Sequence, residues 1–370
     1  MSDIKKILIV SRSFYPQNSP RSFRTTELAK EFARQGHEVR VITPKSQGIH
    51  QIFEKEYQIK IKDLGTPSWK QLNLKGGKSG IFLKRIFIRF AKLLFEYPEI
   101  ELMGLVKKAL KQESGYDLLI SIAVPYPIHW GVAASRSNNK PIAKVWAADC
   151  GDPYMGAEND TFNKLIYFKL VEKWFCRKAD YLTVPNVGSR EGYYPEFWKK
   201  IKIIPQGFKF EEIKKADYNR EPGKPRFAYA GLFIKNRRDP KEFCEYLLHL
   251  DLSFEFHVYT NNEDLIKPWA EKSNGRIQLK GFLPREELLF ELSKLDFMIN
   301  FDNVGDKQTP SKIIDYAIIG KPVISIKTGK LDKINLDRFL MGDYSGAYKI
   351  ENPEQYHIEN VTKKFIELIP

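Results

Sequence analysis

The chain has 370 residues, 42% hydrophobic and 13% aromatic, with 60 Lys and Arg against 46 Asp and Glu, a formal net charge of +14. That is enough apolar material for two domains of ordinary size, and the basic excess turns the search for partners towards phosphates, an anionic bilayer surface or nucleic acid. Three scattered cysteines (Cys150, Cys176, Cys244) have neither disulfide-framework nor zinc-ligand spacing and suit a reducing cytosol, and no uncharged apolar run is long enough to span a membrane.

The start, MSDIKKILIVSR, holds only a four-residue apolar run, too short for a signal peptide. KILIV reads as a strand, SRSFYPQNSPRSF as a polar loop, RTTELAKEFARQG as a helix stopping on Gly36, and HEVRVITP as the next strand. This is one βαβ unit. Residues 75–95 carry Lys75, Lys78, Lys84, Arg85, Arg89 and Lys92 among Ile, Leu and Phe, with no acid. A basic amphipathic helix of that kind suits an anionic membrane surface, although a core helix with a basic outer face has the same pattern. The strand YDLLISIAVP, the helix IHWGVAASR, the strand PIAKVWAAD, the helix LIYFKLVEKWFCRKA and the short strands ADYLTVP and IKIIPQGF continue the alternation. Residues 206–225 are charged, end in Pro and Gly, and read as a linker between a first domain at 1–205 and a second at 226–350. RFAYAG, FEFHVYT, RIQLKGF, DFMINF and KPVISI are the second set of strands, and 351–370 is a final helix expected to pack back towards the first domain. The fold class expected is α/β, two doubly wound Rossmann-like domains facing across a cleft, with ligands outside the carboxyl ends of the strands.

Positions 308 to 324 read QTPSKIIDYAIIGKPVI. Ser311 and Lys312 open a helix, Asp315 lies one turn in on the same face as Lys312, and Gly320 with Pro322 ends it. Free amides at a helix start, a serine and a lysine suit a diphosphate, and an aspartate one turn deeper suits a ribose diol. The same spacing also describes an N-capped helix with a solvated Lys–Asp pair, and residue types alone leave both open.

This stretch resembles the donor-site motif of GT-B glycosyltransferases, in particular the retaining family 4. The resemblance implies a nucleotide-sugar donor with its ribose on Asp315 and its phosphates on Gln308, Thr309, Ser311 and Lys312. The second acid that many members carry eight positions earlier is Lys307 here. In GLFIKNRRDP it implies Gly231 for close approach and Arg237 or Arg238 to neutralise the diphosphate, for which planar guanidinium groups are suited. In GFLPREEL, Gly281, Phe282 and Leu283 would wall the base. The two glycines usual in the first loop are replaced by Ser19, Pro20 and Arg21, leaving Ser19, Arg21 and Arg24 as candidates there. His129 matches a histidine near the donor sugar, with a core histidine as the alternative. Asp149 and Asp152 resemble an Asp-x-x-Asp-Pro loop that orients an acceptor or caps a helix.

The activity implied is that of a hexosyltransferase, with Arg238, Lys312 and His129 as catalytic residues and a saccharide or lipid-linked saccharide as acceptor. The place implied is cytoplasmic, at the inner face of the plasma membrane. With no Asp-x-Asp motif, no metal or other cofactor is expected. A sugar-nucleotide epimerase on the same scaffold, or a non-catalytic basic module, are the competing readings. No helix-turn-helix, RNP or zinc-finger pattern supports a nucleic-acid partner, and no strand is followed by GxGxxG.

Overall fold

The computed structural model describes residues 3–68, 88, 90–91, 93–137, 141–151, 153–156, 164–218, 223–302 and 312–370. They form two compact units, one of residues 1–208 with 355–370 and the other of residues 209–354.

The first unit is built on a seven-stranded sheet of β1 (Lys6–Ser11), β2 (Glu38–Thr43), β3 (Lys60–Asp63), β4 (Tyr116–Ile122), β5 (Ala143–Asp149), β6 (Tyr181–Val184) and β7 (Ile201–Ile203). All are parallel, in the order β3-β2-β1-β4-β5-β6-β7. A strand covered on both faces must be apolar along its covered length, and β1 is from Ile7 to Val10: Leu8 and Val10 enter one core, Ile7 and Ile9 the other. The strand order reverses between β1 and β4, so the loops leaving these two strands flank the switch point. Helix Pro20–Arg34 starts four residues before its apolar periodicity does, because Ser19 caps it by accepting from the Ser22 N–H at 3.2 Å and Pro20 fits the first turn.

The last helix, Ile358–Ile366, belongs to this unit. Ile358, Val361 and Phe365 join the core of Ile7, Leu28 and Phe32, and Gln35 Nε2 donates to Thr362 Oγ1 at 2.8 Å. Its start is tied to Phe208, whose N–H donates to the Tyr356 carbonyl at 2.9 Å and whose carbonyl accepts from the Ile358 N–H at 3.0 Å.

The second unit has a five-stranded parallel sheet of β8 (Arg226–Ala230), β9 (Glu255–Tyr259), β10 (Ile277–Leu279), β11 (Phe297–Phe301) and β12 (Val323–Ile326), in the order β10-β9-β8-β11-β12. Its switch point lies between β8 and β11. One face is packed by aromatic rings: Phe227 stacks on Phe297 at 4.7 Å and on Phe256 at 5.2 Å. Helix Lys312–Ile319 covers the other face with Ile313, Tyr316 and Ile319, and the Tyr316 hydroxyl donates to the Ile299 carbonyl of β11 at 2.8 Å. Gly320 ends that helix at φ 71°, where a side chain would be strained. Residues before β8 pack here too: the Ala216 N–H donates to Ser293 Oγ at 2.8 Å.

Candidate functional site

The residues singled out in the second unit meet beyond β8. Lys312 leaves the start of its helix and lays its ammonium 4.0 Å from the centroid of the Tyr229 ring. It passes so close over Gly231 that a Cβ there would collide with it, which is why this position, at φ 148°, is a glycine. Arg238 comes from the loop after β8. That loop closes on itself, with the Arg238 N–H donating to the Ile234 carbonyl at 2.8 Å and the Ile234 N–H to the Arg238 carbonyl at 3.1 Å, around Asn236 at φ 62°. Thr328 pins it by donating its hydroxyl to the Arg237 carbonyl at 2.8 Å. The Nε of Arg238 is buried without a hydrogen-bond partner among the described residues, a cost unless an acceptor is supplied.

Burial lowers the Lys312 pKa, the neighbouring Arg238 guanidinium lowers it further, and Asp315 only partly opposes them, which brings it down to about 7. Burial likewise pushes the Tyr229 phenol up to about 12, with Arg238 pulling against it. Among the described residues, Arg238 and Lys312 act on each other as like charges with Asp315 only partly opposing, electrostatics that favour an anion.

Asp315 is held by a residue that sequence reasoning missed. Arg285 Nε and Nη2 donate to one carboxylate oxygen, Oδ1, at 3.0 and 2.6 Å, leaving Oδ2 outside that grip. Burial pushes this carboxyl up and Arg285 pulls it back. A signal was present: Arg285 opens helix Arg285–Ser293, where the helix dipole favours acids, ahead of Glu286 and Glu287. Gly281 adopts φ 70°, Phe282 is exposed, and Leu283 packs on the core beneath helix Lys312–Ile319. Arg237 sits in the same turn as Arg238, with its backbone carbonyl tied down by Thr328. Gln308, Thr309, Ser311 and Lys307 lie outside the described residues, as do Asp152 and most of 75–95.

In the first unit the burial of several candidates corrects their expected roles. Arg24 and Asp149 form a two-pronged ion pair, Nε to Oδ2 at 3.0 Å and Nη2 to Oδ1 at 2.8 Å, with both side chains 3% exposed. Arg24 also donates to the carbonyls of Ile204 and Pro205, and the Thr183 hydroxyl donates to Asp149 at 2.6 Å. These two residues tie together the ends of β5, β6 and β7 and have no free edge for an acceptor.

His129 is likewise core. It is fully buried and stacked on Phe175 at 5.3 Å. Burial lowers its pKa to about 3, with Asp149 opposing, so the ring is neutral. Trp146 Nε1 donates to Ser121 Oγ at 2.8 Å, His129 Nδ1 lies 2.7 Å from the same hydroxyl, and His129 Nε2 faces the Cys150 sulfur at 3.5 Å, so both ring nitrogens are engaged within the core. Ser19 serves as a helix cap. Arg21 differs: it is half-buried, and its guanidinium lies over Gly151 so closely that a Cβ there would strike it. It stands at the end of β5, where ligands of such sheets bind.

Comparison with known proteins bears on the fold. Over 98% of its length the chain superposes on 98% of Anabaena HepE in complex with UDP and glucose, at TM-score 0.59 and 12% identity. A glycosyltransferase from Rickettsia africae gives TM-score 0.57 at 12% identity, covering 99% of this chain and 94% of that one. The lipopolysaccharide outer core galactosyltransferase WaaB gives 0.55 at 12% identity, covering 98% and 99%. At such identities the likeness shows the fold, which is the two-sheet GT-B architecture. No curated protein sequence matches the chain. The family model described as Glycosyltransferase Family 4 matches residues 23–212, about half the chain, and the protein belongs to that family.

Proposed function

We propose that this protein transfers a hexose from a nucleoside-diphosphate donor to a saccharide or lipid-linked saccharide acceptor of a cell-envelope polysaccharide, with retention at the anomeric carbon. The observation that carries the reading is Lys312 lying over Gly231 with Arg238 close enough to depress its pKa, and Asp315 one turn away. As the bond from the anomeric carbon to the diphosphate breaks, negative charge gathers on the leaving phosphate. Arg238 and Lys312 meet that charge in a partly dry site, the electrostatic contribution usually largest in such chemistry. Asp315 holds the ribose through Oδ2, with Arg285 fixing its rotamer. Gln308, Thr309 and Ser311 complete the phosphate cradle, and Gly281, Phe282 and Leu283 border the base. Arg21 is the first unit's candidate for the acceptor side. HepE, whose fold is shared, binds UDP and glucose, which supports a diphosphate donor. In this reading the enzyme works on the cytoplasmic face of the plasma membrane, with the basic segment 75–95 against anionic lipid.

The site makes donor binding depend on pH with a definite sign. A bound diphosphate favours charged Lys312, whose pKa in the free protein is about 7. Above that pH, binding takes up a proton, and affinity should fall by up to about tenfold per pH unit. Between pH 7.5 and 9, above the second phosphate pKa of about 6, titration calorimetry with UDP and GDP should show this slope. Lys312→Arg, always charged, should flatten it. A slope equal in both proteins would contradict the assignment. Interconversion of two nucleotide sugars without any acceptor would identify an epimerase instead.

A further inference from the structure

The loop leaving β1, on the ligand side of the first unit's sheet, is fixed at every step. The buried Ser11 hydroxyl donates to the Ser13 carbonyl at 2.9 Å and accepts from the Ser13 N–H at 3.1 Å. Phe14 is buried edge-on against His50 at 5.6 Å and Phe53 at 5.0 Å, both on helix Ile49–Tyr57. The Tyr15 N–H donates to Thr26 Oγ1 at 3.1 Å. The Ser46 N–H donates to His50 Nδ1 at 3.1 Å, so Nδ1 is an acceptor and Nε2 carries the ring proton, which it donates to the Tyr15 carbonyl at 2.6 Å.

What this mount presents is the Tyr15 side chain. It is 44% exposed, its ring leans on Phe53 at 5.2 Å, and its hydroxyl has no hydrogen-bond partner among the described residues. Three residues earlier, Arg12 keeps its side chain 41% exposed and pairs with Glu99 at 3.4 Å. Glu99 leads into helix Glu101–Leu110, which lies against helix Pro127–Ser135, the one that follows β4: a Cβ on Gly131 would strike Val106. The pair therefore joins the two sides of the switch point between β1 and β4, where ligands of such sheets bind. A side chain held rigidly on a loop at that end of a sheet is placed for function.

The chemistry of this corner selects its occupant. The face of an aromatic ring carries negative charge density, and one face of a pyranose is a sheet of C–H bonds that can lie on it. The rim of the same sugar is made of hydroxyls. Arg12 offers that rim N–H donors, while Glu99 cancels its charge, so the corner favours neutral hydroxyls over a phosphate or carboxylate. An apolar segment would leave those donors unused.

We propose that Tyr15 is the stacking platform for a sugar ring of the acceptor, with Arg12 donating to that ring's hydroxyls and with His50 and Thr26 as positioning residues. This rests on the acceptor being a saccharide, as proposed above, and names the side chains that touch it.

Saturation-transfer NMR of the full chain with the methyl glycosides of glucose, galactose, mannose and N-acetylglucosamine tests the assignment. At least one glycoside should receive saturation, strongest at its ring C–H protons. Tyr15→Phe keeps the ring and should keep the signal, whereas Tyr15→Leu, which fills much of the same space without a π face, should lower it about fivefold. Arg12→Ala should lower it about threefold. Both side chains are partly open to solvent, so the variants should melt with the parent. Saturation of none of these glycosides would overturn the proposal. So would an unchanged signal in Tyr15→Leu or in Arg12→Ala, or a signal that disappears in Lys312→Ala, which would put the sugar in the donor corner. Tyr15-dependent saturation in a protein that transfers no sugar from any nucleotide sugar would remove the transferase reading and leave the platform. Sugar transfer without Tyr15-dependent saturation would remove the platform alone.

Discussion

Replacing Arg24 with alanine is expected to destabilise the first unit by about 3–5 kcal/mol, the usual effect of stripping one partner from a buried ion pair. The guanidinium is at once the counter-ion of Asp149, a donor to the carbonyls of Ile204 and Pro205, and a cation 5.3 Å from the Phe365 ring. Its removal leaves a buried carboxylate and two buried carbonyls short of partners, and loosens the final helix from the strand ends. Arg24→Lys should recover little, because one ammonium cannot span the same set of acceptors. Burial would raise the Asp149 pKa, but Arg24, with Arg21 and Thr183, outweighs it and holds the carboxyl below the usual range. A carboxyl depressed in the fold stabilises above its unfolded pKa of about 3.9, and that contribution is lost as the pH falls further. Urea denaturation at neutral pH checks the prediction. A shift under about 1 kcal/mol would show that Arg24 is not the clasp its contacts describe.

The second large effect is on the ligand. Arg238→Ala and Lys312→Ala should each weaken UDP binding by about 10- to 100-fold, the worth of a charge-assisted hydrogen bond in a partly dry site. The two should not add. Arg238 is one reason Lys312 loses its proton, so removing Arg238 raises the Lys312 pKa and returns part of the lost charge. The coupling has its own signature: in Arg238→Ala the pH at which affinity begins to fall should move above 7. Titration calorimetry of the two single variants and the double variant reads both features. Unchanged affinity in both single variants would remove the phosphate from this corner.

The sequence carried much of this, for a physical reason. Strands buried on both faces must be continuously apolar, so KILIV, YDLLISI, RFAYA and DFMINF stand out, and their alternation with helical periodicity implies a parallel sheet. β3 was not legible. As an edge strand reading Lys-Ile-Lys-Asp it buries essentially one side chain, Ile61, and looks like a charged turn. In the second unit, Gly231 and Arg238 stand out as candidates because they follow β8, and Lys312 and Asp315 because they open a helix. Arg285 shows in the sequence only as a base at a helix start, and its pairing with Asp315, 30 residues away, does not.

His129, Arg24 and Asp149 show the opposite limit. Asp149 ends β5, and Arg24 and His129 lie near the starts of the helices that follow β1 and β4, Pro20–Arg34 and Pro127–Ser135, which is the side of the sheet where functional side chains gather. Whether such a residue faces solvent or turns inward depends on neighbours from distant strands and helices, here Ser121, Phe175, Thr183 and Pro205. No local pattern records that choice.

The most direct measurement is a crystal structure of the protein grown with UDP. The account predicts the diphosphate within hydrogen-bonding distance of both Arg238 and Lys312, and a ribose hydroxyl on the Asp315 oxygen that Arg285 leaves open. A nucleotide bound elsewhere, with those three side chains out of its reach, would contradict it.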